Sequence, residues 1–136
     1  MKKHFVILAV ALVLILGLTA GCGAIASTDD AKAIVDEYYD AYSDEDFDDI
    51  VDLCHSSLID DAGGEDNLEA ALANRFAYYG EVDDYSFTGT SFEASGGVIE
   101  YELTVQAEYD DRSILTDSFI LLKKNDKITI IGIDLE

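Results

Sequence analysis

Apolar and polar residues are arranged in two different ways along the chain, and the pattern changes once, between residues 80 and 84. Residues 29–80 carry apolar side chains at helical spacing, whereas residues 84–135 carry them at alternate positions. A repeat of three to four residues is typical of an amphipathic helix, and alternation is typical of a strand with one buried face. The pattern therefore predicts helices first and strands afterwards, which is the order of an α+β fold.

The helical half divides into three predicted helices. Thr28 and two following acids open the first, and Ser43 begins a Ser-x-x-Asp capping pattern that predicts the second. Gly63 and Gly64 precede the third, which we expect to end near Gly80. The apolar stripes are Ala31, Ile34, Val35, Tyr38, Ala41 and Tyr42; Phe47, Ile50, Val51 and Cys54; and Leu68, Ala71, Leu72, Phe76 and Tyr79.

The second half predicts four strands joined by short turns. Tyr85 and Phe87 mark a first, weak strand. The clearest strand runs from Ile99 to Tyr109, because its apolar residues alternate with glutamate, threonine and glutamine. Residues 113–123 and 128–135 form the third and fourth strands. Short turns between consecutive strands imply an antiparallel meander.

The N-terminus combines three features of an export signal. Lys2 and Lys3 give a basic start, residues 5–18 form an apolar run, and small residues lead to Cys22. The apolar run is shorter than the roughly 20 residues that a membrane-spanning helix needs. We therefore predict a signal peptide over residues 1–21 that is removed, with an uncleaved anchor as the alternative.

The segment Leu18-Thr19-Ala20-Gly21-Cys22 resembles the lipobox of bacterial lipoproteins. The resemblance implies cleavage before Cys22, a diacylglyceryl group on its sulfur, and attachment to the extracytoplasmic face of the cell membrane. Two acyl chains hold a protein durably on a bilayer. Residues 22–29 are then a lipidated tether, and residues 30–136 a single α+β domain. An ordinary secretory signal with an incidental cysteine is the alternative.

Removal of residues 1–21 makes the chain more acidic. The whole sequence has 8 Lys+Arg and 29 Asp+Glu, a net charge of −21, and the loss of Lys2 and Lys3 gives 6 − 29 = −23. This charge argues against binding to nucleic acid or to anionic lipid, since both need basic side chains. It does not indicate disorder, because 49% of the residues are apolar.

The order of the predicted elements resembles the nuclear transport factor 2-like (cystatin-like) superfamily. The tyrosine-rich first helix, the Asp46-Phe47 pair before an aliphatic run, and the hairpin at residues 121–128 are similar to elements of that family. The resemblance implies a cone in which N-terminal helices pack in a curved antiparallel sheet of about four strands. It also implies a short strand at residues 55–59. The superfamily contains isomerases, dehydratases and binding modules, so its fold does not decide the function.

No set of residues predicts a metal or cofactor site. Asp44, Asp46 and Asp48 have calcium-loop spacing, but Asp49 and His55 occupy the places that require glycine and glutamate. Once the signal peptide is removed, His55 is the single histidine, which excludes a histidine cluster for zinc.

The candidates for catalysis are few. His55 is a candidate general base, although a lone histidine at a helix end more often caps terminal carbonyls. An isomerase or hydrolase in the cone would use Asp60 or Asp117 as its carboxylate base, and its acidic donor would be Tyr38, Tyr42, Tyr79 or Tyr101. Cys54 has no disulfide partner once the other cysteine is lipidated, and its place on an apolar stripe predicts a small buried side chain.

The function that these features favour is a non-catalytic binding or accessory module for a small apolar or aromatic ligand or an envelope protein. Its pocket would be lined by Tyr38, Tyr42, Phe76, Tyr79 and Tyr101. The alternatives are a passive acidic envelope protein and a cone-pocket enzyme. We expect no cofactor, and we expect a monomer, because Glu100, Glu102 and Glu108 would oppose their own copies in a dimer formed through the outer sheet face.

Overall fold

The computed structural model describes residues 27–135 of the 136-residue chain. The elements are α1 Asp29–Ser43, α2 Phe47–Leu53, α3 Ser56–Asp61, α4 Glu65–Tyr79, β1 Val82–Ser95, β2 Val98–Tyr109, β3 Ile114–Lys124 and β4 Lys127–Leu135. The predicted α+β order is confirmed. The predicted signal peptide, Cys22 and the tether before Ser27 lie outside the described residues.

The strands form one curved antiparallel sheet in the order β1-β2-β3-β4, which is the predicted meander. The alternation on β2 is also confirmed, since Leu103 and Val105 are buried while Glu102 is exposed. Pairing registers shift at three places, two in β1 and one where β4 passes Ile120 and Leu121 of β3. Such bulges bend a strand and increase its twist, so they help the sheet to curve around the helices.

The start of the second helix differs from the prediction. Ser43 is the last residue of α1, and its Oγ accepts a hydrogen bond of 3.2 Å from the Val82 N–H. Glu45 adopts a left-handed backbone with φ of 60°, and α2 begins at Phe47, after Asp46. Carbonyls of α1 accept the N–H groups of Asp44, Glu45 and Asp46, and no side chain caps the start of α2. The predicted capping role of Ser43 is therefore wrong.

Residues 55–59, which the family resemblance placed in a strand, begin a helix instead. Strand pairing is limited to an isolated parallel bridge between Cys54 and Ile130. Directly after it, the Nδ1 of His55 accepts a hydrogen bond of 3.2 Å from the Ser57 N–H and caps the start of α3. A side chain that satisfies a free N–H starts a helix, which is why the extended segment ends here. His55 thus caps a helix start rather than the predicted helix end.

The core lies between the helices and the inner face of the sheet. The predicted apolar stripe of α1 is buried at Ala31, Val35, Tyr38 and Tyr42. The buried residues contributed by the other elements are Ile50, Val51, Cys54, Leu68, Leu72, Tyr101, Leu103, Val105, Ala107, Tyr109, Phe119, Leu121 and Ile130. Tyr39 is buried as well, although it lies outside the predicted stripe. Among the residues described, Asp117 alone is a buried acid, and it is fully enclosed.

Candidate functional site

A polar cluster lies inside the cone, around the carboxylate of Asp117. Its Oδ2 accepts hydrogen bonds from the hydroxyl groups of Tyr39, at 2.8 Å, and Tyr109, at 2.7 Å. Its Oδ1 is 3.0 Å from a guanidinium nitrogen of Arg75, and that nitrogen also donates to the Tyr109 hydroxyl at 3.0 Å. The charge of the buried carboxylate is therefore matched by one cation and two hydroxyl donors.

Four elements each contribute one member of this cluster. Asp117 lies two and four residues before Phe119 and Leu121 on β3, so its side chain points to the same inner face of the sheet as theirs. The same alternation brings Tyr109 inward from β2. Arg75 extends from α4, and its guanidinium lies 5.1 Å from the ring centres of both Tyr79 and Tyr109. Stacking on aromatic rings holds the planar guanidinium in place while it binds the carboxylate.

The surroundings of the cluster oppose ionisation of its tyrosines. Burial, followed by the nearby charge of Asp117, raises the pKa of Tyr39 and of Tyr109 well above the ordinary value. Burial lowers the pKa of the Arg75 guanidinium, but the hydrogen bond with Tyr109 and the charge of Asp117 outweigh it and raise the pKa overall. The hydroxyls therefore remain neutral donors and the guanidinium remains a cation. This arrangement suits a structural ion pair.

The proposed pocket aromatics divide into two groups. The first is continuous, since the ring centre of Tyr42 lies 6.2 Å from that of Tyr38 and 5.5 Å from that of Phe76. Tyr79 joins it through Tyr109, at 5.6 Å between ring centres. Tyr38 and Tyr42 are buried, whereas Phe76 and Tyr79 are partly exposed.

Tyr101 stands apart from that group. Its ring packs 6.4 Å from the ring of Phe92 on β1, eight residues along β2 from Tyr109. Strand residues advance by about 3.3 Å each, so roughly 26 Å of strand separates the two tyrosines. Its buried hydroxyl, like that of Tyr38, has no hydrogen-bond partner among residues 27–135. The structure therefore brings together four of the five predicted pocket residues.

The three weak catalytic candidates occupy separate places. His55 and Asp60 are exposed, and His55 is engaged with Ser57 at the start of α3. The Tyr42 hydroxyl donates to the Gly80 carbonyl at 3.1 Å, and burial raises the pKa of Tyr42 to about 12. Within the described part of the chain, no hydrogen bond or ion pair links His55 or Asp60 to Tyr42.

Cys54 matches the prediction of a small buried residue. It follows α2, it is 8% exposed, and its thiol donates to the Ile50 carbonyl at 3.2 Å. Burial raises the pKa of the Cys54 thiol to about 11, so the nucleophilic thiolate is scarce near neutral pH.

Acidic side chains gather at one surface position. Glu81, Asp83 and Asp110 are exposed and present carboxylate oxygens within 4.8 Å of one another. Oxygen donors of this kind suit a hard cation such as calcium, although exposed acids often cluster without one. These residues differ from the acids with calcium-loop spacing, of which Asp44 lies in the turn after α1 and Asp48 in α2.

An apolar pocket opens between α3, α4 and the end of β4. Its volume is about 320 Å³, and it is lined by Leu58, Asp61, Ala62, Leu68, Ala71, Leu72, Ile133 and Leu135. The polar cluster begins just beyond it, because Arg75 follows Leu72 by one helical turn and Asp117 pairs with Leu135 in the sheet. The sequence pattern did not single out this pocket, since its walls come from elements that are distant along the chain.

Three solved structures share the architecture of the chain. A variant of the designed protein Rd1NTF2_05 is 18% identical with a TM-score of 0.56, over 80% of this chain and 98% of the designed one. The fold is a nuclear transport factor 2-like cone. Bd1075 of Bdellovibrio bacteriovorus is 12% identical with a TM-score of 0.55, over 79% of this chain and 40% of Bd1075. A de novo designed protein with a curved β-sheet is 10% identical with a TM-score of 0.51, over 78% and 98% of the two chains.

The other comparisons add no relative. No protein-family model matches the chain, and no curated protein matches it. Two of these three structures are designed proteins, so the shared architecture is evidence for the fold and not for a shared activity. Among residues 27–135, no helix is both long enough and apolar enough to cross a membrane.

Proposed function

We propose that the protein is a lipid-anchored, extracytoplasmic binding module that holds an apolar group in the pocket between α3, α4 and β4. One observation carries the proposal: the polar groups of the Asp117 cluster bind one another, whereas the pocket between α3, α4 and β4 is lined mainly by aliphatic side chains. A volume of about 320 Å³ is near the lower limit of roughly 300 Å³ for small-molecule sites. It suits a small apolar molecule or one apolar side chain of an envelope protein.

Binding explains this interior better than catalysis does. A general base must reach the proton that it removes, at about 2.6–3.2 Å. The Asp117 carboxylate is fully buried and already accepts bonds from Tyr39, Tyr109 and Arg75. Within residues 27–135, the exposed His55 is hydrogen-bonded to Ser57, and neither it nor the exposed Asp60 is joined to Tyr42 in a catalytic set. A binding module that catalyses no reaction does not need a set of catalytic residues.

The pocket can be tested by filling it from an exposed wall position. Ala71 lines the pocket, and Ala73, which is also exposed, lies on the same helix outside the lining. The probe is Nile red, a neutral dye that the acidic surface does not repel. We expect fluorescence enhancement with the soluble domain from Ser27, a large loss of it in Ala71→Arg, and unchanged binding in Ala73→Arg. Equal binding by both variants would place the dye elsewhere and contradict the proposal.

The anchor rests on the sequence features of the export signal. A basic start, an apolar run and the small residues before Cys22 support lipidation there. Six residues separate Cys22 from Asp29, the first residue of α1. An extended chain covers about 3.3–3.6 Å per residue, so the seven steps from Cys22 to Asp29 can span roughly 25 Å at most. The proposed module would then work next to the bilayer.

The two cysteines offer a matched test of the anchor. Cells that express the full chain are grown with an alkyne-bearing fatty acid, and the purified protein is assayed for label. We expect label and membrane association in the native chain and in Cys54→Ser, and loss of both in Cys22→Ser. Label that persists in Cys22→Ser would refute lipidation at that position. Because the pocket test uses the unanchored domain, the two parts of the proposal can fail independently.

A further inference from the structure

The outer face of the sheet carries exposed aliphatic side chains on a central strand. Ile114, Ile120 and Leu122 share this face of β3, whereas the buried Phe119 and Leu121 lie on the opposite face. Ile114 is 59% exposed and Ile120 is 38% exposed. These are the most exposed large aliphatic residues in the described chain. Residues two apart on a strand are about 7 Å apart, so Ile120 and Leu122 form one apolar patch.

On the side of β4, the residue paired with Ile120 has no side chain that could cover it. Gly132 of β4 pairs with Ile120, and a Cβ added at Gly132 would lie 3.4 Å from the Ile120 Cβ and Cδ1. A larger residue there would extend along the isoleucine and cover it. With glycine at that position, Ile120 stays 38% exposed.

Each of the three aliphatic residues, the exposed Ile114 and Ile120 and the half-buried Leu122, has a glutamate as its cross-strand partner on β2. The pairs are Glu100 with Leu122, Glu102 with Ile120, and Glu108 with Ile114. Paired side chains on one face have Cβ atoms about 4.5–5.5 Å apart. A carboxylate therefore stands beside every apolar position of the row.

A second row of acids on β1 concentrates the charge further. Glu93 pairs with Glu100, and Asp84 pairs with Glu108. Like charges placed directly opposite each other destabilise a sheet. The ion pairs found within residues 27–135 both lie elsewhere, at Arg75–Asp117 and Lys123–Asp30. The fold thus tolerates unneutralised carboxylates beside exposed aliphatic side chains.

We propose that this face, defined by Ile114, Ile120 and Leu122 with the adjoining acids of β1 and β2, docks a basic amphipathic segment of a partner protein. Aliphatic side chains of the segment would cover the β3 row, and its lysines or arginines would meet the carboxylates one strand away, about 4.8 Å to the side. Opposite potentials across such a contact promote association and exclude wrong partners. Lys124 and Lys127, which pair at the tip of the β3–β4 hairpin, mark the end of the acidic face.

A second copy of the chain fits this face poorly. A two-fold interface brings the same patch of both subunits together, so the glutamates of one copy would approach those of the other. Anionic lipid and nucleic acid are repelled by the same charges. The charge complementarity therefore selects a cationic protein segment as the occupant.

The test uses a synthetic amphipathic peptide with leucine on one face and lysine on the other, titrated against the soluble domain. Comparison peptides replace its lysines with glutamate or its leucines with serine. We expect binding of the first peptide alone, weakened by salt. The double variant Glu100→Gln/Glu102→Gln should bind it about three- to tenfold more weakly, and Ile120→Ser about tenfold more weakly.

The controls remove equal chemistry from another surface. Glu37→Gln/Asp40→Asn takes the same two charges from exposed positions of α1, and Tyr78→Ser takes away an exposed ring of α4. Both should bind the peptide as the native domain does. Equal weakening in the controls would show attraction to charge in general and overturn the proposal. A dimer in equilibrium sedimentation that Ile120→Ser dissociates would assign the face to a second copy and overturn it as well.

Discussion

Removal of Arg75 is the perturbation that tests the buried cluster most directly. Arg75→Met keeps most of the side chain's volume but leaves the Asp117 carboxylate without a cation inside the cone. Two hydroxyl donors, from Tyr39 and Tyr109, remain bound to it. Asp117→Asn is the complementary change, since an amide oxygen can still accept from the tyrosines while the negative charge is gone.

The magnitude follows from how well the pair is enclosed. The side chain of Asp117 is 0% exposed and that of Arg75 is 10% exposed, so water screens the interaction little. Loss of one partner from a buried ion pair costs about 3–5 kcal/mol. We expect about 3 kcal/mol for Arg75→Met, because the remaining hydroxyls stabilise the carboxylate. The double variant Arg75→Met/Asp117→Asn buries no unpaired charge, so it should cost about 2 kcal/mol less than the sum of the single variants.

Urea unfolding at neutral pH, followed by circular dichroism, measures each free energy, and equal m-values would show that the variants unfold alike. Arg112→Met serves as the control, because Arg112 is exposed in the turn after β2, and it should cost less than about 0.5 kcal/mol. A coupling energy below about 1 kcal/mol, or a cost for Arg75→Met no larger than that of the control, would refute a buried and energetically linked pair.

Two further predictions concern pH and backbone geometry. Above about pH 10 the free energy of unfolding should fall. The fold raises the pKa values of Tyr39 and Tyr109, so the folded state keeps protons that the unfolded chain releases. Urea titrations at several alkaline pH values measure this free energy, and a value that does not change with pH would contradict the prediction. Gly80→Ala should cost about 2–4 kcal/mol, since φ is +81° and a Cβ would lie 2.8 Å from the Asp110 Cβ. Gly96→Ala, where φ is +59° and no atom is near, should cost about 1 kcal/mol, and equal thermal shifts for the two variants would disprove the steric contribution.

Periodicity predicted the fold because the elements are regular along the chain. The alternation of β2 and the stripe of α1 each reflect one buried face, which a single sequence displays directly. The short helix α3 did not follow from the pattern. It depends on a local hydrogen bond from the Ser57 N–H to His55, which leaves no periodic trace in six residues.

The alternation of inward and outward positions along β3 could have identified one member of the polar cluster from the sequence. Asp117 occupies an inward position between Leu115 and Phe119 on β3, where an acid is expected only if it is paired. Arg75 likewise interrupts the apolar stripe beside Phe76. The sequence alone could not join these two residues, or add Tyr39, because the members are separated by tens of residues and meet only through the curvature of the sheet.

The convergence of four elements on one carboxylate has a consequence for the order of assembly. Tyr39 and Asp117 are separated by 78 positions, and Arg75 and Asp117 by 42. A chain that has emerged only as far as Gly80 contains Tyr39 and Arg75 but not Asp117, so its helices lack the carboxylate that these two residues bind. The buried cluster therefore cannot form until β3 has joined the helices. If the chain is exported as we propose, β3 must clear the membrane before the cluster can form.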